Sequence, residues 1–362
     1  MSERVYNFSA GPATLPLPVL EKAREQMLCY PGAGANIMEI SHRSKAFQAV
    51  LDKAKSDLSA LLNPPEGYHI LFLAGGATLQ FSMLAMNFLN GKTADYINTG
   101  AWATKAMKEA GKHGTARAAW SGKAEKFVRV PADFELALEE NAEYVHYTAN
   151  ETIEGIEFFA EPDAGGKPLF CDASSDFLSH PIAIEKYALL YAGAQKNLGP
   201  SGVAVAILRD DMVARVPAGL PSLLDYRIQV ENDSLYNTPA TYTIYLIGLV
   251  LDWLRNTVGG VEKIYAINRA KADSVYKVID DSAGYYRGHA MPECRSIMNV
   301  SFRLPSEDLE AKFISEATKA GLHGLKGHRS VGGCRASIYN AMPIEGVEAL
   351  NAFMREFQKN NG

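Results

Sequence analysis

The chain has 362 residues, 47% hydrophobic and 21% charged, the proportions of a folded globular protein rather than a disordered or fibrous one. Its formal net charge of -5, with no long basic run, argues against a nucleic-acid partner, so any anionic ligand must be held by a local cluster of cations. Met1 to Tyr6 carries no apolar signal core and the most apolar stretch, Tyr242 to Leu251, is too short to cross a bilayer; a cytoplasmic protein without a membrane partner is expected.

In chain order, Ser9-Ala10-Gly11-Pro12 reads as a turn, and Val19, Leu20, Ala23 and Met27 fall on one face of a first helix. A second helix spans about Ser44 to Leu62. Strands and helices then alternate: strand 70–73, helix 78–89, strand 94–97, helix 103–110, and strands at 143–147, 169–171 and 189–192. Val203 to Leu208 suits an antiparallel return strand. This β-α alternation predicts a mostly parallel sheet covered on both faces. A helix from Tyr242 to Asn256 ends at Val258-Gly259-Gly260, a candidate domain boundary. Beyond it, Met298, Val300, Phe302 and Leu304 alternate with Asn299, Ser301 and Arg303, which predicts a half-buried strand. Leu309, Phe313, Ile314 and Ala317 mark a helix stopped by Gly321. Cys334, Ala336 and Ile338 alternate again, and Val347, Leu350, Phe353, Met354 and Phe357 mark the last helix. This part reads as a small α+β domain with one exposed sheet face. The four cysteines form no CxxC pair and read as free thiols; the histidines lack ligand-like spacing, so no structural metal is expected.

Lys196 is the most informative residue. It follows the apolar and small run Ala188–Ala194, which reads as a buried strand, and precedes the turn Asn-Leu-Gly-Pro-Ser-Gly. An amine is thus set in the protein interior, where lysine is rarely placed for packing. Burial and neighbouring cations depress its pKa and make it nucleophilic, a device used chiefly for Schiff bases with pyridoxal phosphate or a carbonyl substrate.

Pyridoxal phosphate also requires an acid at its pyridine nitrogen, a flat partner for its ring and a cup for its phosphate. Asp172, at the end of an apolar strand, is the candidate acid; a helix N-cap is the competing reading. Ala74-Gly75-Gly76-Ala77-Thr78 joins a strand to a helix and is the candidate cup, since free N–H groups at a helix start point at an anion. It is neither a G-x-G-x-x-G fingerprint nor a Walker loop, and many such turns bind nothing. Trp102, after strand 94–97, can stack on the ring, although packing is its usual role. Ser41-His42-Arg43 and the segment Lys326 to Arg335 concentrate cations. Arginine grips carboxylate and phosphate bidentately. One arginine suffices for an α-carboxylate; the others suggest a second, more highly charged anion such as a phosphate ester, against the competing reading of a solvated loop.

Long segments carry a resemblance through nearly the whole chain: Asn7 to Ala13, Met38 to Ser44, Gly75 to Phe81, His146 to Gly155, Tyr191 to Asn197, Tyr236 to Pro239, Lys326 to Arg329 and Gly333 to Ala341. In this order they resemble the phosphoserine aminotransferases, class V members of the aspartate-aminotransferase fold. The resemblance implies an α/β chain of fold type I: a large domain over 16–258 with a mostly parallel seven-stranded sheet flanked by helices, and a smaller α+β domain from 1–15 and 259–362. It implies that Lys196 holds pyridoxal 5'-phosphate as a Schiff base, Asp172 pairs with the pyridine nitrogen, Trp102 stacks on the ring and Thr152 bonds its phenolic oxygen. Ala77, Thr78 and Gln195 would hold the cofactor phosphate, joined by Asn237 and Thr238 from the second subunit of a homodimer. Arg335 would take the substrate α-carboxylate. Ser9, His42, Arg43, His328 and Arg329 would contact substrate, with His42 and Arg43 crossing the interface toward its phosphate. The implied reaction is reversible amino transfer between L-glutamate and 3-phosphohydroxypyruvate in L-serine biosynthesis, with 4-phosphohydroxy-L-threonine as a further substrate the resemblance allows. The resemblance departs at Thr78, where some relatives carry arginine. A class V enzyme for unphosphorylated substrates would not need the basic cluster, a cysteine desulfurase would need an activated loop cysteine, and a non-catalytic cofactor-binding protein would fail a half-reaction with glutamate.

Overall fold

The structure, a computed structural model, describes residues 4–362. Ser44 opens the helix Lys45–Leu62 by accepting a bond from the Phe47 amide at 3.2 Å, and Asn63 closes it in the left-handed region with φ 46°. The first half is built from α1 (Leu17–Glu25), α2 (Lys45–Leu62), β1 (Tyr68–Ala74), α3 (Ala77–Phe88), β2 (Thr93–Asn98), α4 (Ala101–Ala110) and β3 (Thr115–Ser121). Strands β4 (Val145–Thr148), β5 (Leu169–Asp172), β6 (Leu189–Gly193) and β7 (Val203–Arg209) complete a seven-stranded sheet in the order β1-β7-β6-β5-β4-β2-β3. Strand β7 runs antiparallel to both neighbours, and the other pairs are parallel. Residues alternate across the sheet as strand geometry requires. Phe72, Val145, Leu190 and Val205 face a core with α2 and with α5 (Thr241–Asp252), while Leu71, Leu73, Tyr96 and Phe170 face one with α3. Both faces are covered, which is why these strands read as continuous apolar runs.

The α5 helix continues as a π turn through Trp253–Val258 and stops at Gly259, φ 95°. The 20-residue helix α6 (Val261–Asp280) follows, then β8 (Arg287–Gly288), β9 (Asn299–Arg303), α7 (Glu307–Lys319), β10 (Cys334–Ser337) and α8 (Ile344–Asn361). Strands β8, β9 and β10 form an antiparallel sheet. Val261 and Ile264 of α6 sit in a core of the main sheet, whereas Ala272, Val275 and Ile279 sit in a further core with Phe8, Val300, Phe313 and Leu350, so α6 ties the two regions together.

Two expectations need correction. Met27 lies beyond the end of α1 and is 39% exposed, because the helix closes at Glu25. The polar side of β9 is not a solvent face: Asn299 and Ser301 are buried. Asn150 Nδ2 donates to Asn299 Oδ1 at 2.8 Å, and Ser301 Oγ donates to the Ile153 carbonyl at 2.9 Å. These polar side chains are satisfied against the turn after β4, so alternation marked a change of neighbour rather than a water boundary.

Candidate active site

The carboxyl ends of β1, β2, β4, β5 and β6 open into one cavity of about 590 Å³, the place where open α/β sheets bind ligands. Lys196, three residues past β6, lies buried in its wall. Its Nζ donates to Thr152 Oγ1 at 2.5 Å and sits 5.3 Å from the centre of the Trp102 ring. Burial pulls the Lys196 pKa down to about 8, with Arg335 adding to the fall, and the Asp172 and Glu151 carboxylates resist it. Gly11 lies across the amine's stem. Its φ of +147° suits glycine, and a Cβ there would stand 3.4 Å from Lys196 Cγ. The strand of chain around it is pinned: Ala13 N donates to the Gln195 carbonyl at 2.9 Å, and Tyr339 OH donates to the Ala10 carbonyl at 2.7 Å.

Asp172 ends β5. Its Oδ1 accepts from Ser174 N at 2.9 Å and from Ser174 Oγ. Burial raises its pKa from the ordinary carboxylate value, while Lys196 and Ser174 hold it down. Ser174 Oγ also accepts from Gly193 N at 2.9 Å, which links the ends of β5 and β6. Trp102 lies in the first turn of α4. That turn is held by two buried acids: Glu151 accepts from the Trp102 and Ala103 amides at 2.9 and 2.8 Å, and Glu154 accepts from the Ala101 amide at 3.0 Å. Burial raises Glu151 well above the usual range, with the Glu154 charge adding to the rise, and burial raises Glu154 to about 7 against the backbone bonds, Arg335 and Glu151, which hold it down.

Ala77 and Thr78 begin α3, whose first amides take no side-chain cap, and Gln195 lies beside them on the cavity wall. Arg335, from β10, donates to the Thr152 carbonyl at 3.3 Å, and its Nε is buried without a partner. His328 also lines the cavity; its Nδ1 and Ser330 Oγ are 2.7 Å apart. The structure therefore gathers Ala77, Thr78, Trp102, Thr152, Asp172, Gln195, Lys196, His328 and Arg335 around one space. Ser9, His42, Arg43, Asn237, Thr238 and Arg329 lie outside that wall, with Arg43, Thr238 and Arg329 exposed. Sequence reasoning missed Ser174, two residues after Asp172 and visible only as a turn serine, and Lys105, one helical turn after Trp102. It also found no metal-like spacing, yet the fold sets donor atoms of Glu157, Asp176 and His180 within 4.8 Å of one another.

These residues fit pyridoxal phosphate. A buried acid whose own surroundings disfavour its charge is suited to a cationic ring nitrogen. Uncapped amides at a helix start suit a phosphate, and the unpaired Arg335 Nε suits a carboxylate.

Comparison with known proteins agrees with this geometry. The family described as Aminotransferase class-V matches residues 5–350. A phosphoserine aminotransferase from Rhodopirellula baltica is 52% identical over 99% of this chain and 96% of its own length. The solved phosphoserine aminotransferase from Bacillus circulans subsp. alkalophilus is 51% identical, with full coverage of both chains (100% each) and a TM-score of 0.97. The PLP-bound phosphoserine aminotransferase from Trichomonas vaginalis is 42% identical over 97% of this chain and 100% of that one, with a TM-score of 0.92. With a cavity of this composition and likeness along its full length, the chain belongs to the class V aminotransferases, within their phosphoserine aminotransferase family.

Proposed function

We propose that this chain transfers an amino group reversibly between L-glutamate and 3-phosphohydroxypyruvate, giving O-phospho-L-serine and 2-oxoglutarate. The observation that carries the reading is the buried amine of Lys196, set among Thr152, Trp102 and Asp172 in a cavity that also holds the unpaired Arg335 Nε.

When bound, pyridoxal phosphate supplies an electron sink for the electrons released at the substrate α-carbon. Asp172 favours a proton on the ring nitrogen. Ala77, Thr78 and Gln195 would hold its phosphate, and Trp102 would lie against its ring. Arg335 binds the α-carboxylate and so presents the α-carbon to Lys196. A pKa near 8 leaves a share of Lys196 uncharged near neutral pH, able to accept that carbon's proton and to return one. Glutamate and the phosphorylated 2-oxo acid use the same cavity in turn, so initial rates should follow a ping-pong pattern.

The remaining expected residues act between subunits in this reading. Asn237 and Thr238 complete the cofactor phosphate site of the second chain of a homodimer, and His42 and Arg43 reach the substrate phosphate there. Their position outside their own chain's cavity supports this, as do the exposed apolar residues beside them, Met38 at 56% and Tyr236 at 45%. Ser9 and Arg329 belong to the substrate end. The chain divides into a large domain at 16–258 and a small one at 1–15 and 259–362, a boundary supported by Gly259 and Gly260 with φ 95° and 102°. The unpaired thiols suit the cytoplasm. Borohydride treatment of the holoenzyme should fix the cofactor to the peptide carrying Lys196. Lys196→Ala should lose that attachment and steady-state turnover; a variant that kept both would end this assignment.

A further inference from the structure

Lys105 has no part in the roles described above. It lies on α4 one turn after Trp102, the i,i+3 spacing that sets two side chains on one helix face. Its Nζ is 5.1 Å from the Trp102 ring centre, and the residue lines the cavity while remaining exposed. The other cations of the wall are engaged. Lys196 bonds to Thr152, Arg335 to the Thr152 carbonyl, and His328 to Ser330. Among the described residues Lys105 forms no ion pair, and its ammonium lies over the indole face. A long apolar stem lying on an aromatic ring leaves such an ammonium free to swing toward an anion.

Charge matching favours an anion at that end. Asp172 is the one carboxylate residue in the wall, and it faces Lys196. A phosphorylated substrate brings a carboxylate and a phosphate of charge about -2 near neutral pH. Arg335 answers the carboxylate. Burial lowers the His328 pKa, and Arg335 and Arg329 lower it further, so its imidazole is a weak source of charge at neutral pH.

We propose that Lys105 is a specificity-determining residue whose ammonium leaves the Trp102 face to contact the substrate phosphate. This rests on the reading of the chain as a phosphoserine aminotransferase. The test compares wild-type holoenzyme with Lys105→Gln and Lys105→Arg, measuring KM for O-phospho-L-serine and for L-glutamate. Equilibrium binding of O-phospho-L-serine and cofactor affinity are measured separately. The Gln variant should raise KM and the dissociation constant for O-phospho-L-serine about tenfold or more, and KM for glutamate less than about threefold. The Arg variant should recover most of the loss, and cofactor affinity should hold. Equal losses for both amino acids, no loss for O-phospho-L-serine, or a loss of cofactor affinity of the same size would overturn the assignment. A wild-type protein that uses glutamate but not O-phospho-L-serine would instead remove the functional reading and this role with it.

Discussion

Ser174 carries more of the site than its size suggests. Its hydroxyl donates to Asp172 and accepts from Gly193, so one side chain orients the acid and ties together the ends of β5 and β6. A hydrogen bond to a charged group contributes roughly 1.5–3 kcal/mol. Ser174→Ala should therefore weaken cofactor binding about tenfold in an absorbance titration of the apoprotein, and unchanged affinity would refute the link. A second buried polar residue is structural. Lys271 Nζ donates to the carbonyls of Ile338, Tyr339 and Met342 at 3.0, 2.8 and 3.2 Å, closing the segment that follows β10. Burial lowers its pKa to about 7, yet three acceptors use all three donors of the ammonium. Lys271→Met should destabilise the protein by about 1–3 kcal/mol per carbonyl left unpaired. A denaturant midpoint equal to wild type would show that water replaces the lysine.

The first turn of α4 shows how an element is aimed. Glu151 and Glu154 take three of its free amides, and Trp102 is presented to the cavity as a result. Gly100 makes room for this: a Cβ there would lie 2.5 Å from Glu151 Cδ. Gly100→Ala should push Glu151 off the Trp102 amide, lowering both thermal stability and cofactor affinity. Loss of stability alone would mean that Trp102 is placed by packing. The sequence announced α4 through its apolar spacing and Trp102 through its place after a strand. It could not announce the two acids, because Glu151 and Glu154 acquire their character from burial, which the fold supplies. The strands β1, β2, β5, β6 and β7 were legible since sheet cores leave uninterrupted apolar runs. Edge strand β3 was not: Thr-Ala-Arg-Ala-Ala-Trp-Ser is rich in alanine, a poor strand former. Helix α6 also escaped, since its apolar stripe is interrupted by the buried Asn268 and Lys271. Lys196, Asp172, Trp102 and Thr78 were visible as separate motifs, but their meeting depends on strand order, which spacing along a chain does not reveal.

At the scale of the whole molecule, a charged triad couples stability to pH. Glu157 Oε2 accepts from the Ile297 amide at 2.7 Å, and His180 Nε2 lies 3.6 Å from Asp176 Oδ2. Burial raises Glu157 to about 7. Burial opposes the charge on His180, but Asp176 and Glu157 outweigh it and raise the imidazole to about 9. Both folded-state values exceed the unfolded ones, so both groups hold protons more tightly in the folded chain. The Glu157 contribution is complete below its unfolded pKa of about 4.3 and fades as pH rises through 7; that of His180 is complete below about 6.5 and fades through 9. Resistance to denaturant should thus fall between pH 5 and 9 (both ends approximate). Glu157→Gln should flatten the lower half of that fall, and an unaltered slope would remove Glu157 from the account. The proposed sharing of the site between two subunits has its own test. In that reading Asn237→Asp would set a carboxylate against the cofactor phosphate and should abolish most activity, as should Lys196→Ala. Co-expressed, the two variants should form mixed dimers that regain activity at one site, because the chain with intact Lys196 receives Asn237 from the other. A mixture as inert as either variant would place Asn237 elsewhere.

The weakened basicity of Lys196 also sets it apart from an ordinary exposed lysine. At pH 7.5 roughly a quarter of such amines are uncharged at a pKa near 8, against about one in a thousand for an ordinary lysine near 10.5. In the apoprotein that amine should therefore react with small aldehydes and acylating agents faster than an ordinary lysine does. Bound cofactor would occupy that nitrogen, so acylation at position 196 should be slower in the holoenzyme than in the cofactor-free chain.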